Sequence, residues 1–264
     1  MLYGGVIMNI GISILLSLLL SLPAYIKKSF TYIGLIYAFL TCLIFCVCGG
    51  IGAYISLVAL YVITVVTDKV KKEKKEHIEK SKHEKGSKRD ITQLIDNLFL
   101  AAVCILIYKI VKNEVFYIMF VTSLAVSASD TSASGIGILA KKTYKIFTFK
   151  KAERGLSGNV SILGFIASFV AAFLIALTYL IHVKSIYIIV IVTVFGFLGA
   201  FLDSVLGCFQ VKYQCKKCGE ITEKKIHCEM PTEYKSGISI LNNGMVNFLS
   251  NFMVLIIVYI ILSL

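Results

Sequence analysis

Apolar residues run in eight long blocks separated by short polar segments, at approximately 5–25, 30–48, 50–67, 92–111, 115–139, 159–182, 185–207 and 243–263. Each block fills or approaches a window of about 19 residues, the length an α-helix needs to cross a bilayer. The pattern predicts an all-α fold, a polytopic transmembrane helical bundle of about eight spans, with residues 1–264 as a single integral membrane domain and no soluble domain. The second and third blocks are joined by Cys48-Gly49-Gly50, which predicts a tight helical hairpin. The fourth and fifth blocks are weaker because one end of each carries polar residues, so seven spans is the alternative count. The first block, Val6 to Ala24, has no basic residue before it and a longer apolar core than a signal peptide, and reads as a retained span.

Composition strengthens this reading. With 58% apolar residues, two prolines and a mean hydropathy of +0.85, the chain has more apolar surface than a soluble core of its length would hide. The net charge of +12 is then mainly a topology signal. Of the 27 Lys and Arg, 24 fall in the segments after the first, third, fifth and seventh blocks, leaving Lys109, Lys112 and Lys184. The positive-inside rule places those segments in the cytoplasm and both termini outside. They comprise Lys27 and Lys28, a basic segment at 68–90, a basic Gly-containing loop at 141–158 and a Cys/His loop at 208–237. The 68–90 run alternates Lys and Glu, which suits a helix extending the third span or lying near anionic headgroups. No aromatic residues interleave with its cations, so membrane lipids are the expected partner and no nucleic acid is.

Three carboxylates interrupt the apolar blocks: Asp96, Asp130 and Asp203. Such a residue costs roughly 2.5–3.5 kcal/mol in a span and usually faces a polar cavity or pathway. The topology brings all three to the cytoplasmic end. Gln93 and Asn97 flank Asp96 there, Ser127 to Ser134 surround Asp130, Ser204 follows Asp203, and Asn243 and Asn247 share a face of the last span. Asp96 lies only about a turn and a half into its helix, so a helix-end charge in solvent is an equal reading. The loop from Lys141 to Ser161 combines Lys150, Lys151 and Arg154 with Gly155 and Gly158 at the start of a helix. Cations, close backbone approach and free N–H groups at a helix start suit phosphate, although any cytoplasmic loop is expected to be basic. No Walker or kinase Gly-rich pattern is present.

Successive motifs carry a resemblance: Lys88-Arg89-Asp90-Ile91-Thr92-Gln93 with Asn97, Ser129-Asp130-Thr131-Ser132-Ala133-Ser134, Gly155 to Ser161, Gly199 to Gly207 with Gln210, and Leu241-Asn242-Asn243 with Val246-Asn247. In this order they resemble the integral membrane family of animal transmembrane protein 19 and the plant phytyl-phosphate kinase. More distantly, Asp130 to Gly158 resembles dolichol kinases and CTP-dependent phosphatidate cytidylyltransferases. The resemblance implies a Mg²⁺-dependent phosphotransferase that uses CTP or a related nucleotide to phosphorylate an isoprenyl monophosphate, such as phytyl phosphate. Laid over it, Asp130 and Asp203 would hold Mg²⁺, and Ser134, Asn243 and Asn247 would orient the acceptor or the metal ligands. Lys150, Lys151, Arg154, Gly155 and Gly158 would bind nucleotide phosphates, with Gln93 and Asn97 also on the nucleotide side. Two motifs depart from the family pattern: Gly135 stands where a Glu is usual, and Leu156, Ser157 and Asn159 replace residues of a Gly-Thr-Asn-Gly-Gly segment. A lipid cytidylyltransferase and a non-enzymatic small transporter or assembly protein are the alternatives. Polar groups gathered at one face, rather than around the midplane, favour the enzyme.

Cysteine usage adds a separate element. Cys42, Cys46, Cys48 and Cys104 lie in spans and read as small apolar residues. Cys215-x-x-Cys218 followed by His227-Cys228 has the donor set of a structural Zn²⁺ site, although the second pair is tighter than usual and a redox or ligand-free loop is the alternative. His77 and His83 read as solvated and His182 as interfacial.

Overall fold

The computed structural model describes residues 8–26, 31–70, 91–152 and 154–264, with the side chains of residues 91 and 93 left aside. Lys27, Lys28, His77, His83 and nearly all of the 68–90 segment therefore lie outside the described residues, as does the Gln93 side chain. Among the described residues seven helices follow one another: α1 (Ile10–Ile26), α2 (Tyr32–Lys69), α3 (Ile91–Val111), α4 (Glu114–Gly137), α5 (Ile162–Leu177), α6 (Ile186–Gly207) and α7 (Asn243–Ser263), with a 3₁₀ turn at Thr178–Ile181 extending α5. Six are long and apolar enough to cross a membrane, and α1 is a shorter apolar helix.

Helix α2 explains the difference between seven helices and eight apolar blocks. Straight, its 38 residues would span about 57 Å, nearly twice a bilayer core. At Gly50 the backbone instead turns through φ 69° and ψ −158°, in a region that glycine enters freely. The two limbs double back on each other. Ala38 of the first and Asp68 of the second line one groove, while Gly49 and Gly52, at the hinge, face Ile105 and Tyr117. The hairpin thus forms at the expected Gly-Gly step, giving eight helical segments among the described residues.

Helix α4 is the axis of the bundle. It touches α2, α3, α5, α6 and α7, and it is buried on nearly every side. Its small and hydroxyl residues make this possible, because they admit neighbouring backbones closely. Gly196 and Gly199 of α6 complete the fit: a Cβ at Gly199 would lie 2.5 Å from a Val126 methyl, and one at Gly196 would lie 2.7 Å from Ala125. An unpaired polar group is costly in such a core, and most find partners, although Tyr117 OH and Asn251 Oδ1 are buried without one. Accordingly Ser129 Oγ donates to Ser168 O (2.7 Å), Ser127 Oγ to Asn97 O (2.8 Å), and Asn251 Nδ2 to Ser123 Oγ (3.0 Å).

One end of the bundle is closed by aromatic packing. Tyr117 stacks on His182 with centroids 3.6 Å apart, and His182 Nε2 meets Glu114 Oε2 at 2.9 Å. The His182 side chain, just beyond the end of a span, is packed inside the protein, where Glu114 at the start of α4 satisfies it.

The opposite end carries short β elements that hydrophobic periodicity did not predict. Between α4 and α5, β1 (Tyr144–Lys145) pairs with β2 (Asn159–Val160). Between α6 and α7, β3 (Lys212–Gln214), β4 (Ile221–Thr222) and β7 (Glu233–Ser236) form one sheet, and β5 (Ile226–His227) and β6 (Met230–Pro231) form a hairpin.

Candidate functional site

Asp130 and Asp203 come together. Asp130 sits in the last two turns of α4 and Asp203 in the last turn and a half of α6, and their carboxyl groups are in hydrogen-bonding contact. Two carboxylates at this separation repel unless a proton or a cation is shared between them. Helix α7 supports one of them. The Asn247 amide, oriented as its neighbours require, donates to Asp203 Oδ2 at 2.9 Å and to Asn243 O at 3.0 Å, and Ser250 Oγ lies 3.4 Å from the same Oδ2. Asn247 thus touches the carboxylate directly, while Asn243 takes part through its backbone. Asn242 caps α7, accepting from Met245 N at 2.9 Å, and so fixes where this helix starts.

Asp96 also meets α7. A Cβ placed on Gly244 would lie 2.7 Å from Asp96 Oδ2, so the carboxylate rests on the first turn of α7, the positive end of that helix dipole. The sequence left Asp96 between a solvated helix end and the site, and the fold seats it against a neighbouring helix.

The Gly-containing loop reaches the end of α6. Gly158 has φ 85°, and a Cβ there would lie 2.6 Å from Cys208 Sγ and 2.8 Å from Cys208 N. Glycine at 158 is required for this close packing, just beyond the turn that carries Asp203. Gly155 also adopts positive φ (78°). One amide of the loop is already engaged: Ser157 N donates to Glu223 Oε1 at 2.9 Å.

The remaining expected residues are placed less closely. Lys150 and Lys151 are exposed on the β1–β2 hairpin, where Lys145 N donates to Lys150 O. Arg154 is exposed and its Nη2 donates to Lys141 O at 3.0 Å. Ser134 is exposed, and its hydroxyl turns back to Asp130 O (3.0 Å) and Thr131 O (3.3 Å) on its own helix. Lys145 and Lys212, which were not singled out, are close enough for their charge to act on Cys208.

A groove of about 90 Å³ opens beside Asp130, and Asn97 lines it together with the neighbouring Thr131. Its walls are mostly apolar, including Leu20, Leu57, Leu60, Leu94 and Leu98, with Asp68 among the polar residues. Asp68 was hidden in the sequence by its place at the start of a Lys/Glu run.

Glu223 is the main residue that sequence reasoning missed. It is buried, with 5% exposure, it accepts from Ser157 N, and its charge acts on Asp203. It lies in a basic loop, outside every apolar block, so hydropathy carried no signal for it.

The four Cys/His residues also converge. Cys215 Sγ, Cys218 Sγ, a His227 ring nitrogen and Cys228 Sγ all lie within 4.8 Å of one another. The backbone N–H of Cys218, followed by a hydrogen bond with His227, holds the Cys215 thiol down at about 6, while desolvation and then Cys218 and Cys215 push Cys228 up to about 11. All eight cysteines are free.

Comparison with known proteins agrees with a membrane protein of this kind. The family described as integral membrane protein DUF92 matches residues 15–255. An uncharacterized membrane protein of Methanocaldococcus jannaschii, MJ0933, is 36% identical over 89 residues, covering 33% of this chain and 37% of its own length. Protein PGR of Arabidopsis thaliana is 30% identical over 135 residues, 46% of each chain. The matches thus span less than half of either relative. No solved structure matches the chain.

Proposed function

Since the chain belongs to the integral membrane family DUF92, we propose that it is a membrane-embedded lipid-phosphate kinase, passing a phosphoryl group from CTP or a related nucleotide to an isoprenyl monophosphate such as phytyl phosphate. The observation that carries this reading is the contact between the Asp130 and Asp203 carboxyl groups at one end of an apolar bundle. Paired carboxylates are the donors that Mg²⁺ takes, and Mg²⁺ supplies charge neutralisation on nucleotide phosphates.

The groove lined by Leu57, Leu60 and Leu98 supports a lipidic acceptor, because it offers apolar walls that lead to Asn97 and Thr131, next to Asp130. In the reaction, an oxygen of the acceptor monophosphate attacks the γ-phosphorus of the nucleotide. The bond to the bridging β–γ oxygen breaks, and the nucleoside diphosphate leaves with the electron pair. A dianionic acceptor needs no proton removed, so no general base is called for, which suits a site whose Ser134 hydroxyl is turned to its own helix. The chain's contribution is positioning and electrostatics. Asp130 and Asp203 would hold the metal, Asn247 would orient Asp203, and Lys150, Lys151 and Arg154 would supply mobile positive charge from the exposed hairpin. Glu223 provides acidity beside the pair, although the family position at Gly135 has none.

The test incubates purified protein in detergent with Mg²⁺, labelled CTP or ATP and a set of isoprenyl monophosphates, alongside Asp130→Asn and Asp203→Asn. Label in a lipid diphosphate, lost in both variants, is the expected result. Cytidine joined to the lipid would instead identify a cytidylyltransferase, and no product with any donor would sink the enzymatic reading.

A further inference from the structure

We propose that Cys215, Cys218, His227 and Cys228 bind one structural Zn²⁺, and that this ion fixes Glu223 between the Gly-containing loop and the Asp130–Asp203 pair.

The donor geometry carries the metal half. With Zn–S bonds of about 2.3 Å, a tetrahedral site spaces its sulfur ligands by about 3.8 Å. Cys218 Sγ and Cys228 Sγ are 3.9 Å apart, and His227 Nδ1 lies 3.6 Å from the first and 3.2 Å from the second. His227 presents Nδ1 to the sulfurs, leaving Nε2 to face Glu220 Oε2 at 3.7 Å. A carboxylate behind the second ring nitrogen is the usual support of a metal-bound imidazole.

The backbone also resolves the tight spacing of His227 and Cys228. These residues enter the β5–β6 hairpin, in which His227 pairs with Met230. The two residues between them, Cys228 and Glu229, both have positive φ (51° and 64°), as a two-residue type I′ turn requires. Neither is glycine, so the turn is strained, and it swings Cys228 to the side where His227 already points. The first pair sits on a matching turn, with Gly219 N donating to Cys215 O and Cys215 N to Glu220 O, each at 2.9 Å.

The coupling half follows from chain order. Glu223 lies between Cys218 and His227, so an ion binding both would clamp the segment that carries it at each end. Inside that segment, Thr232 Oγ1 donates to Lys224 O at 2.7 Å and Lys224 N to Thr222 Oγ1 at 3.2 Å, which leaves Glu223 little freedom. Its carboxylate emerges buried, accepting from Ser157 N at 2.9 Å and acting on Asp203. A zinc-held loop therefore holds a buried acidic group against the Gly-containing loop, near enough for its charge to act on Asp203. Only the effect on divalent-cation affinity rests on the Mg²⁺ reading above.

The test uses the full chain in detergent. Metal analysis should find about one zinc per chain, lost in Cys215→Ser. Cobalt exchanged into the wild type should give thiolate charge-transfer and tetrahedral d–d bands. Hydrogen exchange of residues 154–160 should rise on zinc chelation and rise similarly in Glu223→Leu, which removes the acceptor of the Ser157 N–H, with no further rise when chelation and variant are combined. Glu223→Gln should retain zinc while weakening Mn²⁺ binding about tenfold. A zinc-free wild type overturns the metal half. Zinc present with unchanged exchange at 154–160 on chelation overturns the coupling. If zinc and exchange behave as stated but no form binds Mn²⁺, the kinase reading fails while this inference stands.

Discussion

Asp203 and Asn247 join α6 to α7 through a hydrogen bond of 2.9 Å, the Asn247 amide donating to Oδ2 while also holding Asn243 O. It ties a candidate metal ligand to the helix that bounds the site. Asn247→Leu removes a donor to a charged acceptor and is expected to cost about 1.5–3 kcal/mol of stability in detergent thermal unfolding. Phosphoryl transfer should fall about 10- to 100-fold, as when a partner that orients a metal ligand is lost.

The contact between Asp130 and Asp203 predicts the opposite balance of stability and activity. In metal-free buffer the pair must either share a proton or repel, and an amide at 130 removes that constraint, so Asp130→Asn should unfold at the same temperature as wild type or higher. Added Mg²⁺ should stabilise wild type and leave this variant unmoved. A variant clearly less stable than wild type without metal would count against the repulsion.

Gly158→Ala should be among the most destabilising small substitutions in the chain. Positive φ costs about 1–2 kcal/mol for a residue with a Cβ, and the new methyl meets Cys208 Sγ at 2.6 Å and its backbone N at 2.8 Å. Thermal unfolding should show the loss, and Cys208→Ala should restore only part of it, because the backbone overlap persists.

Filling the groove separates lipid from nucleotide recognition. Leu60 is a buried part of its wall, and Leu60→Trp should raise KM for a long-chain acceptor about tenfold while leaving the nucleotide KM unchanged. A shorter acceptor should recover most of the loss. Equal effects on both substrates would argue against the groove as the acceptor's path.

The Cys/His loop has a pH signature without metal. With Cys215 held at about 6 by the Cys218 N–H and then by His227, its thiolate persists as pH falls to that value and is protonated below it. Thiolate ultraviolet absorbance of metal-free protein should show a step near 6 that Cys215→Ser lacks. Cys228, pushed to about 11, should titrate well above it.

Much of the fold was legible because lipid imposes simple rules. Apolar block lengths located the helices, and Gly49-Gly50 marked the hinge, where φ is 69°. Buried charges pointed to Asp130 and Asp203, because ionisable groups in spans are costly. Other features had no such signal. Asp68 looked like one more member of a Lys/Glu run, the Glu114 partner of His182 lies 68 residues away in the chain, and the strands of the two loops are too short for periodicity to register. Glu223 is buried by loop packing rather than by hydropathy.

The sequence by itself determined the class, the approximate spans and the residue types available at one end of the bundle, since each depends on local composition against a fixed bilayer thickness. The tertiary structure decided which of those residues meet. Side-chain contact depends on helix rotation and on loop paths, which local pattern leaves open. That is why Asp130 and Asp203 touch, Asp96 rests on α7 instead, Lys150 and Lys151 stay on an exposed hairpin, and Glu223 enters from a loop that composition alone would have left in solvent.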